Sequence, residues 1–328
     1  MVRELAKLGG RELARSGFSQ LPVLINRAGQ RASWRFVEFF TANIRNKNTR
    51  AAYAQAVGQF FQWCDRRRIT DLEQIRPVLV SLYIEEVMAA RSKPTTKQHL
   101  AAIRMLFDWL VTGQVVPMNP ASSVRGPRYS VKRGKTPVLK ADEARRLLDS
   151  IDTNSIVGLR DRALIGIMCY SFARVSAVVN MKVEDYFANG GGKRWWFRFH
   201  EKGGKRHEVP AHHNAESYLD LYIDAAGIWE EKKGPLFRSV DKHRRLTLAP
   251  LSRVDVWRMI RRRAKGAGIE TAIGCHTWRA TGITAYLENH GTIENAQAIA
   301  AHESPRTTKL YDRTSDEITL DEVERIVI

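Results

Sequence analysis

Four basic or imidazole residues in the second half of the chain have types and spacing that could serve chemistry. His276 and Arg279 are three residues apart in a segment predicted to be helical, so they share one helix face. Arg174 follows a predicted helix over 158–170, and Lys202 lies at the tip of a predicted Gly-Gly hairpin. Taken singly, each has an ordinary reading, because His-x-x-Arg is common and a lone arginine or lysine at a turn is usually a surface residue.

A histidine and a tyrosine follow, His302 and Tyr311, which are nine residues apart. One straight helix would separate them by roughly 13 Å along its axis. Ser304 suits a helix N-cap and Pro305 suits the first helical position, so the chain is predicted to turn after His302 and begin a new short helix. That turn can bring an imidazole and a phenol to one site. A buried tyrosine with a satisfied hydroxyl is the plain alternative.

The charge of the chain favours a polyanionic partner. The 328 residues carry a formal net charge of +18 and a pI of about 10.1, which costs self-repulsion unless an anion binds. Nucleic acid is the first candidate. An anionic membrane surface is the second, but the positive charge is spread along the chain and not concentrated in one amphipathic helix. A basic protein without a polyanionic partner is the third reading.

The three cysteines, Cys64, Cys169 and Cys275, lie far apart and form no C-x-x-C pair. Neither a zinc site nor a disulfide framework is indicated, and a reducing cytoplasm fits. No apolar run reaches the length of a membrane span, and the first residues do not read as a signal peptide.

Composition and periodicity divide the chain into five parts. Residues 1–30 read as an N-terminal arm, 31–118 as a bundle of four helices, and 119–140 as a basic linker rich in proline and glycine. Residues 141–318 read as a second domain and 319–328 as an apolar tail. The linker could lie along a phosphate backbone or be a solvated spacer. The tail could pack into a neighbouring subunit or cap its own domain.

The second domain is predicted to be mainly helical with one small antiparallel sheet. Trp195, Phe197 and Phe199 alternate toward one face, Gly203-Gly204 follows, and a second extended run begins at Arg206. The fold class is therefore mainly α with a small antiparallel sheet.

In the order Arg, Lys, His-x-x-Arg, His, Tyr, these residues resemble the tyrosine recombinase (phage integrase) family, and Xer-type and mobile-element recombinases in particular. The matching stretches are 159–186, 201–210, 276–287 and 301–314. The helical first part and basic linker are similar to the family's core-binding domain and interdomain linker.

The resemblance implies a role for each of these residues. Tyr311 would be the nucleophile that forms a covalent 3′-phosphotyrosine, and Arg174 and Arg279 would bind the non-bridging oxygens. Lys202 would protonate the departing 5′-oxygen, His276 would accept the tyrosine proton, and His302 would donate a hydrogen bond to the phosphate. No acidic metal cluster lies near them in the sequence, and no metal or cofactor is expected.

The sequence departs from the family pattern at Ala177, where many relatives carry an acid that helps to orient the first arginine. Glu184 or Asp185 could substitute for it. Candidates for DNA contact are more numerous than the catalytic residues and less specific in their pattern. They are Lys97, Arg104, Arg125, Arg128, Lys132, Arg133, Lys135, Lys205 and Arg206, with Arg258, Arg261, Arg262 and Arg263 as further candidates for reading bases.

The resemblance further implies a homotetramer on two double-stranded DNA sites, strand exchange through a Holliday junction, and a bacterial, nucleoid-associated cytoplasmic location. Two other functions use the same fold. A type IB topoisomerase would relax any supercoiled plasmid, and a catalytically idle relative would only bind DNA.

Overall fold

The chain divides into two compact units, Met1–Ser130 and Val131–Ile328, and each has its own apolar core. The structure is a computed structural model, and it describes residues 17–131, 134–189, 194–201 and 204–312. Most elements are helices, and the strands are few and antiparallel. The predicted fold class, mainly α with a small antiparallel sheet, is confirmed.

The first unit is a helical bundle. Its helices are α1 (Val23–Arg27), α2 (Gly29–Glu38), α3 (Lys47–Arg66), α4 (Pro77–Ala90) and α5 (Lys93–Thr112), with a π-helical turn at Phe39–Asn43 and a 3-10 turn at Leu72–Gln74. The Asn46 side chain caps α3 by accepting the backbone N–H groups of Asn48 and Thr49. Prolines lie in the first turns of α4 and α5. Backbone N–H groups in a first turn have no intrahelical acceptor, so proline loses no hydrogen bond there. Aromatic rings packed edge to face fill the core between α2 and α3.

Two of the predicted segments, the arm over 1–30 and the linker over 119–140, contain residues that pack into a core. Within the described part of the arm, Leu24 and Ile25 are buried in the first core. The predicted linker 119–140 is packed near both ends, with Ala121 and Val124 in the first core and Leu139 in the second. A few apolar side chains in a basic, Pro/Gly-rich stretch suffice to dock it. The remaining domain bounds stay a prediction, and residues 1–16 and the tail 319–328 lie outside the described residues.

The second unit is built around the helix Ile156–Tyr170, most of whose residues are buried. Its helices are α6 (Ala141–Asp149), α7 (Ile156–Tyr170), α8 (Val175–Val179), α9 (His213–Ala226), α10 (Arg253–Gly266), α11 (Cys275–Glu288), α12 (Ile293–Ile299) and α13 (Pro305–Lys309). Its strands are β1 (Tyr186–Ala188), β2 (Trp195–His200), β3 (Arg206–Pro210), β4 (Arg238–Val240) and β5 (Leu246–Pro250), with a 3-10 turn at Val183–Asp185.

The predicted hairpin is the pair β2–β3, in which Phe197 lies opposite Val209. Phe197 and Phe199 are buried, as the alternation predicts. Strand β1 adds a third, antiparallel member to this sheet, and β4–β5 forms a separate two-stranded sheet. Both were missed, because β1 and β4 have three residues each and are too short for an alternation to show.

Helices α7 and α11 pack with their backbones in contact. Gly282 of α11 lies so close to the Cys169 carbonyl of α7 that a methyl group at Gly282 would overlap it. This approach fixes the first turns of α11, which carry His276 and Arg279, against the residues that follow α7. Within the described residues, no helix is long and apolar enough to cross a membrane.

Candidate active site

Arg279 is the centre of the candidate site, and three segments of the second unit converge on its guanidinium. The residue is 2% exposed. One Nη donates to the Phe172 carbonyl after α7, and the other donates to the Ala300 carbonyl after α12 at 2.8 Å. The second Nη also lies 2.6 Å from Nε2 of His302. Neutral acceptors therefore hold this buried cation in place.

The segment after α7 makes an unusual turn to meet Arg279. Phe172 has φ +54°, a left-handed conformation that costs a non-glycine residue roughly 1–2 kcal/mol. Its ring is buried in a small apolar cluster with Ile283 and Leu287. Burial of the ring and the bond from Arg279 hold the Phe172 carbonyl toward α11. The same turn delivers Arg174, two residues further on, to the N-cap of α8.

The Arg174 side chain is 37% exposed, and its partner is a carboxylate just after strand β2. Nη1 of Arg174 lies 2.7 Å from Oε2 of Glu201, whose own side chain is 8% exposed. Glu201 follows β2 directly and precedes Lys202. Glu184 and Asp185, the substitutes that we expected from the sequence, are engaged elsewhere. Glu184 pairs with Lys233, and Asp185 accepts the Lys182 N–H and lies near His200.

His302 links Arg279 to the last helix. Because a guanidinium nitrogen can only donate, Nε2 of His302 accepts from Arg279, and Nδ1 then carries the proton. Nδ1 donates to the hydroxyl of Thr308, which is fully buried, at 2.8 Å. The imidazole thus forms a chain from Thr308 through His302 to Arg279. In this tautomer it braces the arginine, whereas the resemblance predicts a donor to the phosphate.

Tyr311 stacks on His302, and the turn predicted between them is present. Ser304 caps α13 and Pro305 begins it, which confirms the turn expected from the sequence. The two rings are nearly parallel, at 7° with centroids 5.8 Å apart. The Thr284 hydroxyl donates to the Tyr311 carbonyl at 2.9 Å and fixes its backbone to α11. The imidazole and the phenol therefore meet at one place.

His276 lies one helical turn before Arg279 and keeps an exposed side chain. Partial loss of solvent, followed by the charges of Arg279 and Arg174, lowers the pKa of His276. The imidazole is thus neutral at pH 7 and able to accept a proton.

Burial and nearby positive charges also lower the pKa values of Arg279 and His302. Desolvation and then the charge of Arg174 lower the pKa of Arg279 to about 10, while the phenol of Tyr311 and the carboxylate of Glu201 oppose that shift. Desolvation and the two arginine charges lower the pKa of His302 to about 4. Near neutral pH the site therefore combines two guanidinium charges and one carboxylate with uncharged imidazoles, a net charge suited to an anion.

The predicted DNA-contact residues belong to both units of the chain, and each is described here within its own unit. Lys97, Arg125, Arg128 and Lys135 are exposed. Arg104 donates to the Ala121 and Val124 carbonyls, which is the structural role of a chain anchor. Lys205 pairs with Glu303 at 2.8 Å, and Arg206 pairs with Glu208 at 3.3 Å. The structure does not describe Lys202, Lys132 and Arg133.

Sequence reasoning missed two polar residues of the site, Glu201 and Thr308. A signal for Glu201 was present, since it continues the alternation of Phe197 and Phe199 and so falls on the buried face, where a carboxylate needs a partner. Thr308 gave no comparable signal, because its burial depends on where α13 docks. Among the described residues, no three His, Cys, Asp or Glu side chains gather in a way that could hold a metal ion.

The fold is that of DNA recombinases whose structures are solved. A XerH site-specific recombinase bound to a palindromic difH substrate aligns with a TM-score of 0.68 and 19% identity, over 92% of this chain and 90% of that one. A lambda integrase tetramer bound to a Holliday junction aligns with a TM-score of 0.64 and 18% identity, over 90% and 81%.

Sequence comparison identifies the family. The profile of the phage integrase family matches residues 137–317, and that of the phage integrase N-terminal SAM-like domain matches residues 35–114. The tyrosine recombinase XerD of Listeria monocytogenes is 26% identical over 266 residues, which cover 80% of this chain and 87% of that protein. The XerD of Chlorobaculum tepidum is 27% identical over 272 residues, covering 80% and 85%. The chain therefore belongs to the phage integrase family of tyrosine recombinases, enzymes of site-specific DNA recombination through a tyrosine intermediate.

Proposed function

We propose that Tyr311 of this chain attacks a DNA phosphodiester and holds the cut strand as a covalent 3′-phosphotyrosine. The observation that carries the proposal is the cluster of Arg279, His302 and Tyr311, in which a phenol stacks on a neutral imidazole beside a desolvated guanidinium. The Tyr311 oxygen bonds to phosphorus, and the 5′-oxygen leaves with the bonding electrons. Because the phosphodiester energy is kept in the new bond, a 5′-hydroxyl of another strand can reverse the step without ATP.

The remaining residues take roles that fit their chemistry. Arg279 and Arg174 bind the two non-bridging oxygens and stabilise the charge that develops at phosphorus. His276, neutral and partly exposed, accepts the phenolic proton. Lys202, next to Glu201 in the sequence, protonates the departing 5′-oxygen. His302 holds Arg279 through Nε2.

The partner in this proposal is double-stranded DNA that carries a specific recombination site, bound by four copies of the chain. The net charge of +18 supports a DNA partner, and solved relatives of this fold are bound to DNA as dimers and as a tetramer on a Holliday junction. Strand exchange between two sites would then pass through such a junction, on nucleoid DNA in the bacterial cytoplasm. Because phosphate contacts release counterions, binding should weaken steeply as salt rises.

Covalent trapping tests the proposal. The purified protein is incubated with DNA fragments from around its own gene and quenched with detergent, and a protease-sensitive protein–DNA adduct is then sought. Wild-type protein should form the adduct, and Tyr311→Phe should not. Tyr286→Phe is the matched control, since Tyr286 is also a half-buried tyrosine of the second unit, beside Phe172. Mapping the nick then gives the target site.

Other outcomes would assign other functions. Tight DNA binding with no adduct on any fragment would favour a protein that only binds DNA. Relaxation of a supercoiled plasmid that lacks the mapped site would favour topoisomerase activity. An adduct that persists in Tyr311→Phe would assign the nucleophile to another residue.

A further inference from the structure

Glu201 occupies a position where a carboxylate needs a specific partner. Its side chain is 8% exposed and continues the inward face of β2 behind Phe199. Burying a carboxylate is costly unless a cation and hydrogen bonds compensate for the lost water. Arg174 supplies both through the 2.7 Å contact between its Nη1 and Oε2 of Glu201.

The backbone of Glu201 closes the turn at the end of the β2–β3 hairpin. Its N–H donates to the Lys205 carbonyl at 2.8 Å, and its carbonyl accepts from the Gly204 N–H at 3.1 Å. Gly204 has φ +79°, a conformation that glycine adopts without strain. Lys202 lies between these bonded residues in the sequence. Glu201 therefore contacts Arg174 through its side chain and is held at the end of the hairpin through its backbone.

The carboxylate also moderates the repulsion between the two arginines. The charge of Arg174 lowers the pKa of Arg279, and the charge of Glu201 raises it. Arg174 is the more exposed of the pair and has a flexible side chain, so without an anion it would tend to swing into solvent. The contact with Glu201 fixes one edge of its guanidinium and leaves the other donors for a phosphate.

We propose that Glu201 is a positioning residue that orients Arg174 toward the phosphate. The proposal rests on the function proposed above. It concerns a residue that does not itself touch the reacting atoms in the proposed mechanism.

Position 177 is a second place from which an acid could perform this role. Arg174 is the N-cap of α8, and Ala177 is the third residue of that helix. Side chains at the N-cap and at the third helical position are neighbours, as capping boxes show. Ala177 is 3% exposed and carries no charge, so in this chain the acid comes from the hairpin instead of from α8.

The test uses the full-length protein and the DNA site that covalent trapping has mapped. We expect Glu201→Gln to slow adduct formation roughly 10- to 100-fold, because a guanidinium displaced by about 1 Å loses that much. The dissociation constant for the same DNA should change less than about threefold, since one contact among many is altered. Glu208→Gln is the matched control, because Glu208 lies on the same hairpin and pairs with Arg198 and Arg206 at its surface.

Two further variants separate positioning from folding. Glu201→Asp keeps the charge and should remain within about fivefold of the wild-type rate. Ala177→Glu combined with Glu201→Gln should recover at least part of the loss if the new carboxylate fits. If that double variant unfolds, the comparison of Gln with Asp decides alone.

Two results would overturn the proposal. One is a wild-type rate of adduct formation in Glu201→Gln. The other is an equal loss of rate in Gln and Asp with a matching fall in melting temperature, which would show a purely structural role. Failure of the wild-type protein to form any adduct would instead contradict the function on which the proposal rests.

Discussion

Two groups of arginines in the second unit differ in the acceptors that they bind. In the first, Asp161 is fully buried, with Oδ1 2.7 Å from Nη2 of Arg160 and Oδ2 2.7 Å from Nη2 of Arg263. In the second, Arg279 binds two carbonyls and an imidazole, and Arg174 shares one contact with Glu201. Arg262 also lies 3.9 Å from Oδ2 of Asp161. Each group therefore combines one carboxylate with two or three guanidiniums, and the sign of the net charge does not distinguish them.

The difference lies in how the carboxylate is shared. Asp161 gives one oxygen to each arginine, so both cations have a direct anionic partner and the group stabilises the packing of α7 against α10. Arg279 contacts two carbonyls and an imidazole, all of them neutral, and its buried charge remains available to an incoming anion. A buried arginine held by neutral acceptors is thus a better candidate for anion binding than one held by acids. Arg263, a sequence candidate for reading bases, belongs to the structural group.

The first prediction tests the structural group and has the largest expected effect. Asp161→Asn should lower the free energy of unfolding by about 3–5 kcal/mol, because it leaves buried guanidiniums without their counter-charge. A urea titration followed by circular dichroism measures this. Arg245→Gln, which removes a surface ion pair with Asp241, should leave the midpoint unchanged. A similar midpoint for wild type and Asp161→Asn would remove the structural assignment.

The second prediction concerns Arg279 in the second group and asks whether its loss affects cleavage more than stability. Arg279→Gln should reduce the rate of adduct formation by roughly 10³-fold, the effect of losing a preorganised donor to the developing charge. Its free energy of unfolding should fall by less than in Asp161→Asn, since removal of a desolvated charge offsets part of the lost hydrogen bonding. Quenched time courses and the same urea titration measure both. A variant that is as destabilised as Asp161→Asn, with an unchanged cleavage rate, would reverse the two assignments.

The third prediction uses pH. The fold lowers the pKa of His302 from its ordinary value of 6.5 to about 4, so between these values the unfolded chain binds a proton that the folded chain does not. Stability should therefore fall as pH drops from 6.5 to 4, by about 3 kcal/mol, and be unaffected by this group above pH 6.5.

Comparison with His302→Gln isolates this contribution, because the other titrating groups are common to both proteins. If wild type is the more stable protein at pH 7, the difference between its urea midpoint and that of His302→Gln should shrink through pH 6 and 5 to pH 4. Parallel curves for the two proteins would show that His302 is not buried beside the arginines.

The sequence predicted local turns and strand faces better than contacts between side chains. The turn at Ser304-Pro305 and the alternation of Phe197 and Phe199 are local signals, and the structure has both. The partner of Arg174 depends on which strand end lies beside α8, which local spacing does not specify. Glu184 and Asp185 were nearer in sequence but engage other groups. The burial of Leu24 within the predicted arm was not expected for a related reason, since it is decided by distant helices.

The smallest effect is expected at Thr308, the far end of the chain through His302 to Arg279. Thr308→Val preserves the shape but removes the acceptor for Nδ1 of His302, which should cost about 1–3 kcal/mol and slow adduct formation roughly tenfold. Thr308→Ser keeps the hydroxyl and loses a buried methyl, which costs about 1 kcal/mol. Serine should therefore restore the cleavage rate even where it does not restore the melting temperature. If Thr308→Val cleaves as fast as wild type while Thr308→Ser does not, packing and not the hydrogen bond orients His302. The neutral acceptors that matter for the site would then be only those that contact Arg279 directly.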